Sequence, residues 1–264
     1  MLDICTGTGC IPLLFHDEFY KHCGMHSIGM DIRGYDISHT ALRLAEENKA
    51  MQLARSKNRS DRQLERARSL LDMNFFYYDL LSNKPPSPAH GNGSKPQQQL
   101  DTSMASSSDE MPGMCDILIS NPPYISPAEY SRTTARSVRE FEPRLALVPP
   151  AVSRSKDHRS AHSEDRGDLF YPGLLDLAER LSTKLILLEV ADMAQAKRVV
   201  AMVLPRSSWH VDVEIWRDEP FQKRVGEVLV EGRNIRVVGE GNARSVFISQ
   251  RDLDAQGFDA QNPE

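Results

Sequence analysis

The sequence has 264 residues, of which 40% are hydrophobic, and its formal net charge is −5 at pH 7. This length suits one α/β domain with insertions better than two full domains. The acidic balance argues against a protein that holds nucleic acid on a broad basic surface, because neutralising phosphates requires clustered Lys and Arg. No apolar run reaches the roughly 20 residues that cross a bilayer. The four cysteines show neither a C-x-x-C pair nor zinc-ligand spacing, which favours small buried or half-buried thiols in a reducing compartment.

Strand and helix patterns alternate along the chain. The first half predicts a strand at 1–4, a helix at 11–20, a strand at 27–37, a helix at 39–54 capped by Ser38, and strands at 75–81 and 115–120. The second half predicts a helix at 174–181, a strand at 184–190, a helix at 195–204, and strands at 210–216 and 244–249. Strands that alternate with helices predict a doubly wound, mostly parallel sheet.

Two segments have a composition unlike the rest. Residues 82–112 are rich in Ser, Pro, Gln and Gly, and residues 151–166 are rich in Ser, Arg, Asp and His. Both predict disordered surface insertions in one domain of residues 1–250, which a tail of residues 251–264 follows. Long loops add closure entropy only slowly, so the fold can contain them. A linker between two domains is the alternative for the first segment.

A glycine turn, D-x-C-T-G-T-G at residues 3–9, lies between the first strand and the first helix. Glycine lets a backbone approach a ligand closely, and a helix N-terminus offers free N–H groups. The turn has neither the three-glycine nucleotide fingerprint nor the Lys of a P-loop. Alone, it does not distinguish a ligand-binding loop from an ordinary strand-to-helix turn.

Acidic residues at strand ends strengthen the case for a ligand. Asp36 closes the second predicted strand, where a carboxylate can accept both hydroxyls of a ribose. Asp31 competes for this role but comes earlier in the strand, so Asp36 is favoured. Asp79, at the end of the third strand, could accept from an exocyclic amine, while Leu80 could cover an adenine face. A helix cap or a turn residue is the alternative for each acid.

The N-P-P-Y motif at residues 121–124 follows the apolar strand C-D-I-L-I-S. Two successive prolines fix a rigid, extended backbone at the edge of the sheet where α/β folds bind ligands. The Asn121 side-chain oxygen and the Pro122 carbonyl can accept the two hydrogens of an NH₂ group, and Tyr124 can stack on its plane. A proline turn with a capping Asn is the alternative. The order of glycine turn, strand-end acids and N-P-P-Y favours methyl transfer to a planar amide or amine nitrogen.

Together these motifs resemble the HemK/PrmC protein-glutamine methyltransferases. The resemblance rests on D-x-C-T-G-T-G-C-I, on G-Y-D-I-S with A-L-x-L-A-x-x-N, on D-I-L-I-S-N-P-P-Y-I, and on F-E-P-R-L-A-L at residues 141–147. DNA adenine and RNA base methyltransferases share N-P-P-Y, whereas its combination with F-E-P-x-x-A-L is more specific and resembles the bacterial and organellar branch. The resemblance implies a Rossmann-like class I fold that uses S-adenosylmethionine to methylate the glutamine of the Gly-Gly-Gln motif in a peptide chain release factor.

The resemblance also implies a role for each matching residue, and no metal ligand. The methionine end of the cofactor would contact Cys5, Thr6, Gly7, Thr8 and Gly9. The ribose would contact Asp36, and the adenine would contact Asp79 and Leu80. Asn121 would also border the cofactor, and the glutamine amide would be held by Asn121, Pro122, Pro123 and Tyr124, of which Asn121, Pro122 and Tyr124 are the expected catalytic residues. The substrate channel would be shaped by Phe141, Glu142 and Pro143.

Two departures from the family pattern stand out. The family commonly has Gly where Cys5 stands, a mild change if the backbone there does not need a positive φ. The family also carries an N-terminal helical domain, and nothing precedes Met1 here, so we expect a truncated or shortened form.

The resemblance implies a monomer with a release factor as its protein substrate, without membrane association or stable nucleic-acid binding. The family branch suggests the mitochondrion, with the cytoplasm as the alternative. Two other functions stay open at this point. One is an N-methyltransferase that acts on the exocyclic amine of a nucleic-acid base, and the other is a non-catalytic cofactor-binding scaffold.

Overall fold

The structure is a computed structural model that describes residues 1–22, 29–55, 61–82, 87–88, 111–151, 166–206 and 209–251. Almost all of both predicted insertions, and the tail from residue 252 onward, lie outside the described residues. The strands are β1 (Leu2–Ile4), β2 (Arg33–Asp36), β3 (Asn74–Tyr77), β4 (Ser87–Pro88), β5 (Ile117–Ser120), β6 (Leu185–Glu189), β7 (Val211–Glu219), β8 (Val225–Val230), β9 (Arg233–Val238) and β10 (Glu240–Gln250). The helices are α1 (Cys10–His22), α2 (His39–Arg55), α3 (Asp61–Leu71), α4 (Pro127–Arg132), α5 (Arg136–Phe141), α6 (Arg144–Leu147), α7 (Tyr171–Arg180) and α8 (Met193–Val203), and a 3₁₀ turn spans Arg166–Asp168.

One sheet contains all the strands that the described residues form, in the order β4-β3-β2-β1-β5-β6-β10-β7-β9-β8. Strands β3, β2, β1, β5 and β6 are parallel neighbours, and β10 inserts antiparallel between β6 and β7. The predicted doubly wound, mostly parallel sheet is confirmed. The chain order places β1 at the centre, where it pairs with both β2 and β5.

Among the residues that the structure describes, two apolar clusters form the core. The larger one joins the central strands to α7 and α8 and includes the fully buried Leu118, Tyr171 and Val200. The smaller one joins α1, α2 and α3 to β3 and includes Leu42 and Phe75. Parallel sheets need such cover on both faces because their strands are apolar on both sides.

Several predicted boundaries needed correction. The second strand begins at Arg33 instead of residue 27, and the third ends at Tyr77, so the chain already turns at Asp79. The predicted Ser38 cap is confirmed, since the Ala41 N–H donates to Ser38 Oγ at 3.2 Å.

The sequence patterns did not predict α3 to α6 or the β8–β9 hairpin. Helices α4, α5 and α6 have four to six residues each and bury none of them, so they show no apolar periodicity. The hairpin turns at Glu231 and Gly232, both with positive φ, and lacks the Asn-Gly or Asp-Gly signal that such turns usually show.

Candidate active site

The loops that follow β1, β2 and β5 border one cavity of about 840 Å³. Pockets for small molecules and cofactors typically measure about 300–1,000 Å³. The predicted site residues that line it are Cys5, Thr6, Gly7, Thr8, Asp36, Asp79, Leu80, Asn121, Pro122, Pro123, Tyr124, Glu142 and Pro143. Gly9 and Phe141 do not line it. A polar cavity of about 470 Å³ beside Arg66 contains none of the predicted residues.

The strand register brings the three loops together. Ile4 pairs with Tyr35 on β2 and with Ser120 on β5. The residues that directly follow these three are Cys5, Asp36 and Asn121. They therefore lie at the same level of the sheet. The Ser120 hydroxyl reinforces this register by donating to the Ile4 carbonyl at 2.7 Å.

The glycine turn is held by backbone hydrogen bonds. The Thr6 N–H donates to the Tyr35 carbonyl at 2.9 Å, and the Gly9 N–H donates to the Thr6 carbonyl at 3.0 Å. A Cβ on Gly9 would lie 2.9 Å from Cζ of Phe75, whereas a Cβ on Gly7 would meet no atom within 4 Å. Gly9 therefore allows close packing of the turn on β3, while Gly7 leaves open space at the cavity.

Cys5 has a left-handed backbone with φ of 63°. The substitution of Cys for the Gly that the family commonly has is therefore not mild, because a side chain in this conformation costs roughly 1–2 kcal/mol. Burial, with the nearby charges of Asp36 and Asp3, raises the pKa of the Cys5 thiol, so the thiol stays neutral. Cys10 is exposed, contrary to the expectation of buried or half-buried thiols, and Cys115 is buried.

Asp36 connects the glycine turn to the start of α2. Its Oδ2 accepts from the Gly7 N–H and its Oδ1 from the Ser38 N–H, both at 2.8 Å. Burial raises the pKa of Asp36, and these backbone bonds oppose the increase. A carboxylate has about four lone-pair sites, so these backbone bonds leave it room to accept from a ligand. Asp31, by contrast, is 60% exposed and ion-paired with Arg33, and it does not line the cavity.

Asp3 and Asn48 support the turn, although the sequence patterns assigned them no role. Asp3 is fully buried, and its Oδ2 accepts from the Thr6 hydroxyl at 2.6 Å. Its Oδ1 has no partner among the described residues, and burial is the main cause that raises the pKa of Asp3 to about 7. The Asn48 side-chain amide donates to the Thr8 carbonyl at 3.0 Å. Asn48 is the last residue of A-L-x-L-A-x-x-N, and that position was the available signal.

The wall beyond β3 is mainly apolar. Asp79 Oδ1 accepts from the Leu81 N–H at 3.1 Å, which makes this carboxylate part of a turn. Leu80 is half-buried beside Gly173, where an added Cβ would lie 3.4 Å from its Cγ. Ile37 and Phe170 also line the cavity. A flat aromatic ligand group would find apolar contacts on this side.

The N-P-P-Y motif presents an amide to the cavity. Pro122 and Pro123 are buried, whereas Asn121 is exposed, and the described residues give its side chain no hydrogen-bond partner. The Tyr124 hydroxyl donates to Glu189 Oε1 at 3.0 Å. Burial is the main cause that raises the pKa of Tyr124 to about 12, and the Glu189 charge adds to it. The tyrosine ring is thus anchored while the Asn121 amide is left available.

Helix α6 and the residues just before it form one rim of the cavity. The Ile125 N–H donates to the Leu147 carbonyl at 2.9 Å and so closes the base of this segment. Glu142 and Pro143 line the cavity, but Phe141 is 84% exposed and turned to solvent. The described residues contain no group of three or more His, Cys, Asp or Glu that could hold a metal ion.

Sequence comparisons bear on this arrangement. No family model matches the chain. The "Probable MRF1 mitochondrial N(5)-glutamine methyltransferase mtq1" of Schizosaccharomyces pombe is 24% identical over 90% of this chain and 61% of that protein. The "Mitochondrial MRF1 N(5)-glutamine methyltransferase MTQ1" of Saccharomyces cerevisiae is 32% identical over 55% of this chain and 32% of that protein. The "Release factor glutamine methyltransferase" of Chlorobaculum tepidum is 50% identical over 20% of this chain and 17% of that protein.

The resemblance to the HemK/PrmC protein-glutamine methyltransferases is confirmed. The chain spans at most about three-fifths of the length of these curated HemK/PrmC-like relatives. Among solved structures, the hMettl16 catalytic domain in complex with MAT2A 3′UTR hairpin 1 matches with a TM-score of 0.44. It is 13% identical over 96% of this chain and 64% of that chain.

Proposed function

We propose that this chain transfers a methyl group from S-adenosylmethionine to the side-chain amide nitrogen of the glutamine in the Gly-Gly-Gln motif of a peptide chain release factor. The names of the sequence relatives support the reaction and its protein substrate. The observation that carries the proposal is the shared cavity. This cavity is lined by both Asp36 and Asn121, whose side-chain amide is unpartnered. The two residues lie at the same level of the sheet, on either side of the central strand β1.

The cavity suits S-adenosylmethionine in size and in the chemistry of its lining. Asp36 keeps lone pairs for the two ribose hydroxyls, and the open space at Gly7 admits the methionine end. Leu80 and Ile37 offer apolar contact to the adenine, and Asp79 offers it an acceptor. When bound, the cofactor supplies an electrophilic methyl group.

The protein's own residues would position a weak nucleophile. An amide nitrogen shares its lone pair with the carbonyl, so catalysis must come from orientation and from stabilising the positive charge that develops on nitrogen. In the proposal, the Asn121 side-chain oxygen and the Pro122 carbonyl accept the two amide hydrogens. Tyr124, anchored through Glu189, supports the plane of the amide. Pro143 and Glu142 border the path of the glutamine side chain.

We place this activity in the mitochondrion, because the names of two relatives include that compartment. The described residues include no helix that is long and apolar enough to cross a membrane. The proposed partner is the release factor alone, with the chain as a monomer.

Transfer of radiolabel from S-adenosylmethionine tests the proposal. The chain is incubated with a release factor, with the same factor after its Gly-Gly-Gln glutamine is changed, and with bulk RNA. Label on the unchanged factor alone is the expected result. Label on RNA instead would favour methylation of a base amine, and label on none of the three would contradict a transferase.

A further inference from the structure

A buried polar network lies behind the N-P-P-Y motif, outside the cavity. Gln195 on α8 is only 2% exposed. Its side-chain Nε2 donates to the Tyr124 carbonyl at 3.3 Å and to Asp168 Oδ1 at 2.9 Å. Its Oε1 accepts from the Ala191 N–H at 2.7 Å, so every polar atom of this amide has a partner. A buried amide satisfied in this way has one favourable orientation.

The network extends from Asp168 to the surface. Arg198, one helical turn after Gln195, donates from Nε to Asp168 Oδ2 at 2.5 Å and from Nη2 to Asp168 Oδ1 at 3.1 Å. This two-bond geometry holds the carboxylate in a fixed plane. The Asp168 side chain is 11% exposed and that of Arg198 is 38% exposed.

The packing around the Tyr124 carbonyl is too tight for a larger residue. A Cβ on Gly167 would lie 2.5 Å from the Tyr124 carbonyl oxygen and 3.1 Å from Gln195 Nε2. The 3₁₀ turn thus approaches the N-P-P-Y backbone only because residue 167 is a glycine. Tyr124 is therefore held at two ends, by Glu189 at its hydroxyl and by Gln195 at its carbonyl.

We propose that Gln195, Asp168 and Arg198 form a positioning unit that fixes the N-P-P-Y backbone and so controls the rate of methyl transfer. None of the three lines the cavity, so they act through Tyr124 and contact neither cofactor nor substrate. This role rests on the proposed function, since it concerns turnover at that site. Small displacements of a catalytic group reduce rates strongly, by about a hundredfold for roughly 1 Å.

Two variants test the unit from its buried and its exposed end. Gln195→Met keeps the shape but removes the donor, and Arg198→Ala removes the outer support. We expect kcat to fall by about ten- to a hundredfold in the first, and by less in the second, with partial rescue by Arg198→Lys. The Kd for S-adenosylmethionine should stay within twofold of the Kd of the chain without substitutions.

Arg206→Ala is the matched control. Arg206 forms comparable ion pairs with Asp176 and Glu179, at 2.7 and 2.8 Å, and these partners differ from those of Arg198. It should lower the thermal midpoint as much as Arg198→Ala does but leave kcat unchanged. The proposal is wrong if Arg198→Ala and Arg206→Ala lower kcat equally, or if each loss of kcat comes with an equal loss of cofactor affinity. Either result would mean that the three residues only stabilise the fold.

Amide hydrogen exchange supplies a readout that needs no substrate. The Ile125 N–H, next to Tyr124, should exchange at least about tenfold faster in Gln195→Met, because the backbone on one side of it is released. Unchanged exchange together with unchanged kcat would overturn the positioning role. If the unchanged chain fails to methylate any glutamine, the proposed function fails, and Ile125 exchange still decides whether the unit holds the motif.

Discussion

Replacing Asp36 separates the proposed ribose contact from a structural role. Asp36→Ala removes two bonds from its carboxylate to the N–H groups of Gly7 and Ser38, and any bond to a ligand. A hydrogen bond to a charged group contributes about 1.5–3 kcal/mol. Loss of one ribose bond therefore weakens cofactor binding by about ten- to a hundredfold. Loss of the Gly7 bond lowers the melting midpoint by several degrees, at about 2–4 °C per kcal/mol for this chain length.

Calorimetric titration with S-adenosylmethionine and a thermal melt measure the two effects. Asp31→Ala is the control, since this exposed ion pair contributes at most about 1 kcal/mol and lies away from the cavity. Asp36→Asn keeps the shape and one acceptor, so its effects should fall between those of the other two. Our assignment is wrong if Asp31→Ala weakens binding as much as Asp36→Ala, or if Asp36→Ala changes neither quantity.

Three further predictions concern the same loops. Asn121→Ala should lower turnover by at least about a hundredfold with little change in cofactor affinity, and near-normal methyl transfer would exclude its role as an acceptor. The pKa of Asp3 is raised to about 7 in the folded chain. As the pH rises, the native state therefore keeps the Asp3 proton after the unfolded state has lost it. Its contribution to the free energy of unfolding should be full below about pH 4 and lost as the pH rises to about 7. Asp3→Asn should remove that slope in urea titrations, and a slope equal to that of the unchanged chain would contradict the shift. Gly9→Ala should lower the melting midpoint more than Gly7→Ala, because only its Cβ meets the Phe75 ring, at 2.9 Å; equal midpoints would show that the ring moves aside easily.

The sequence predicted which residues lie beside the cavity better where the signal is local. Asp36 ends β2 and N-P-P-Y directly follows β5, and the parallel sheet then brings strand ends to one edge. The left-handed backbone of Cys5 has no such signal, because Cys rarely occupies that conformation. In the sequence, nothing distinguishes Gln195 from other polar residues of a helix. Its contact with Tyr124 joins positions that are 71 residues apart in the chain.

Exposure was equally hard to predict for apolar residues. Phe141 lies in a short helix that buries nothing, so no periodicity indicated which way its ring points. Gly9 was expected beside the cofactor, yet it serves the packing between the turn and Phe75. For Gly9, the neighbour that decides the outcome is Phe75, which comes from a distant part of the chain.

The pairing of Ile4 with both flanking strands means that β1 sets the spacing between the two sides of the site. Neighbouring strands lie about 4.8 Å apart, so the segments that begin at Asp36 and Asn121 leave the sheet about 10 Å from each other. Backbone hydrogen bonds between the strands set this span. Changes in the lining can therefore alter which amide enters or how tightly it is held, while the distance from the proposed ribose contact to the proposed amide contact stays constant. A shift of β1 by a single residue would instead move both contacts at once and turn Ile4 away from its place in the core.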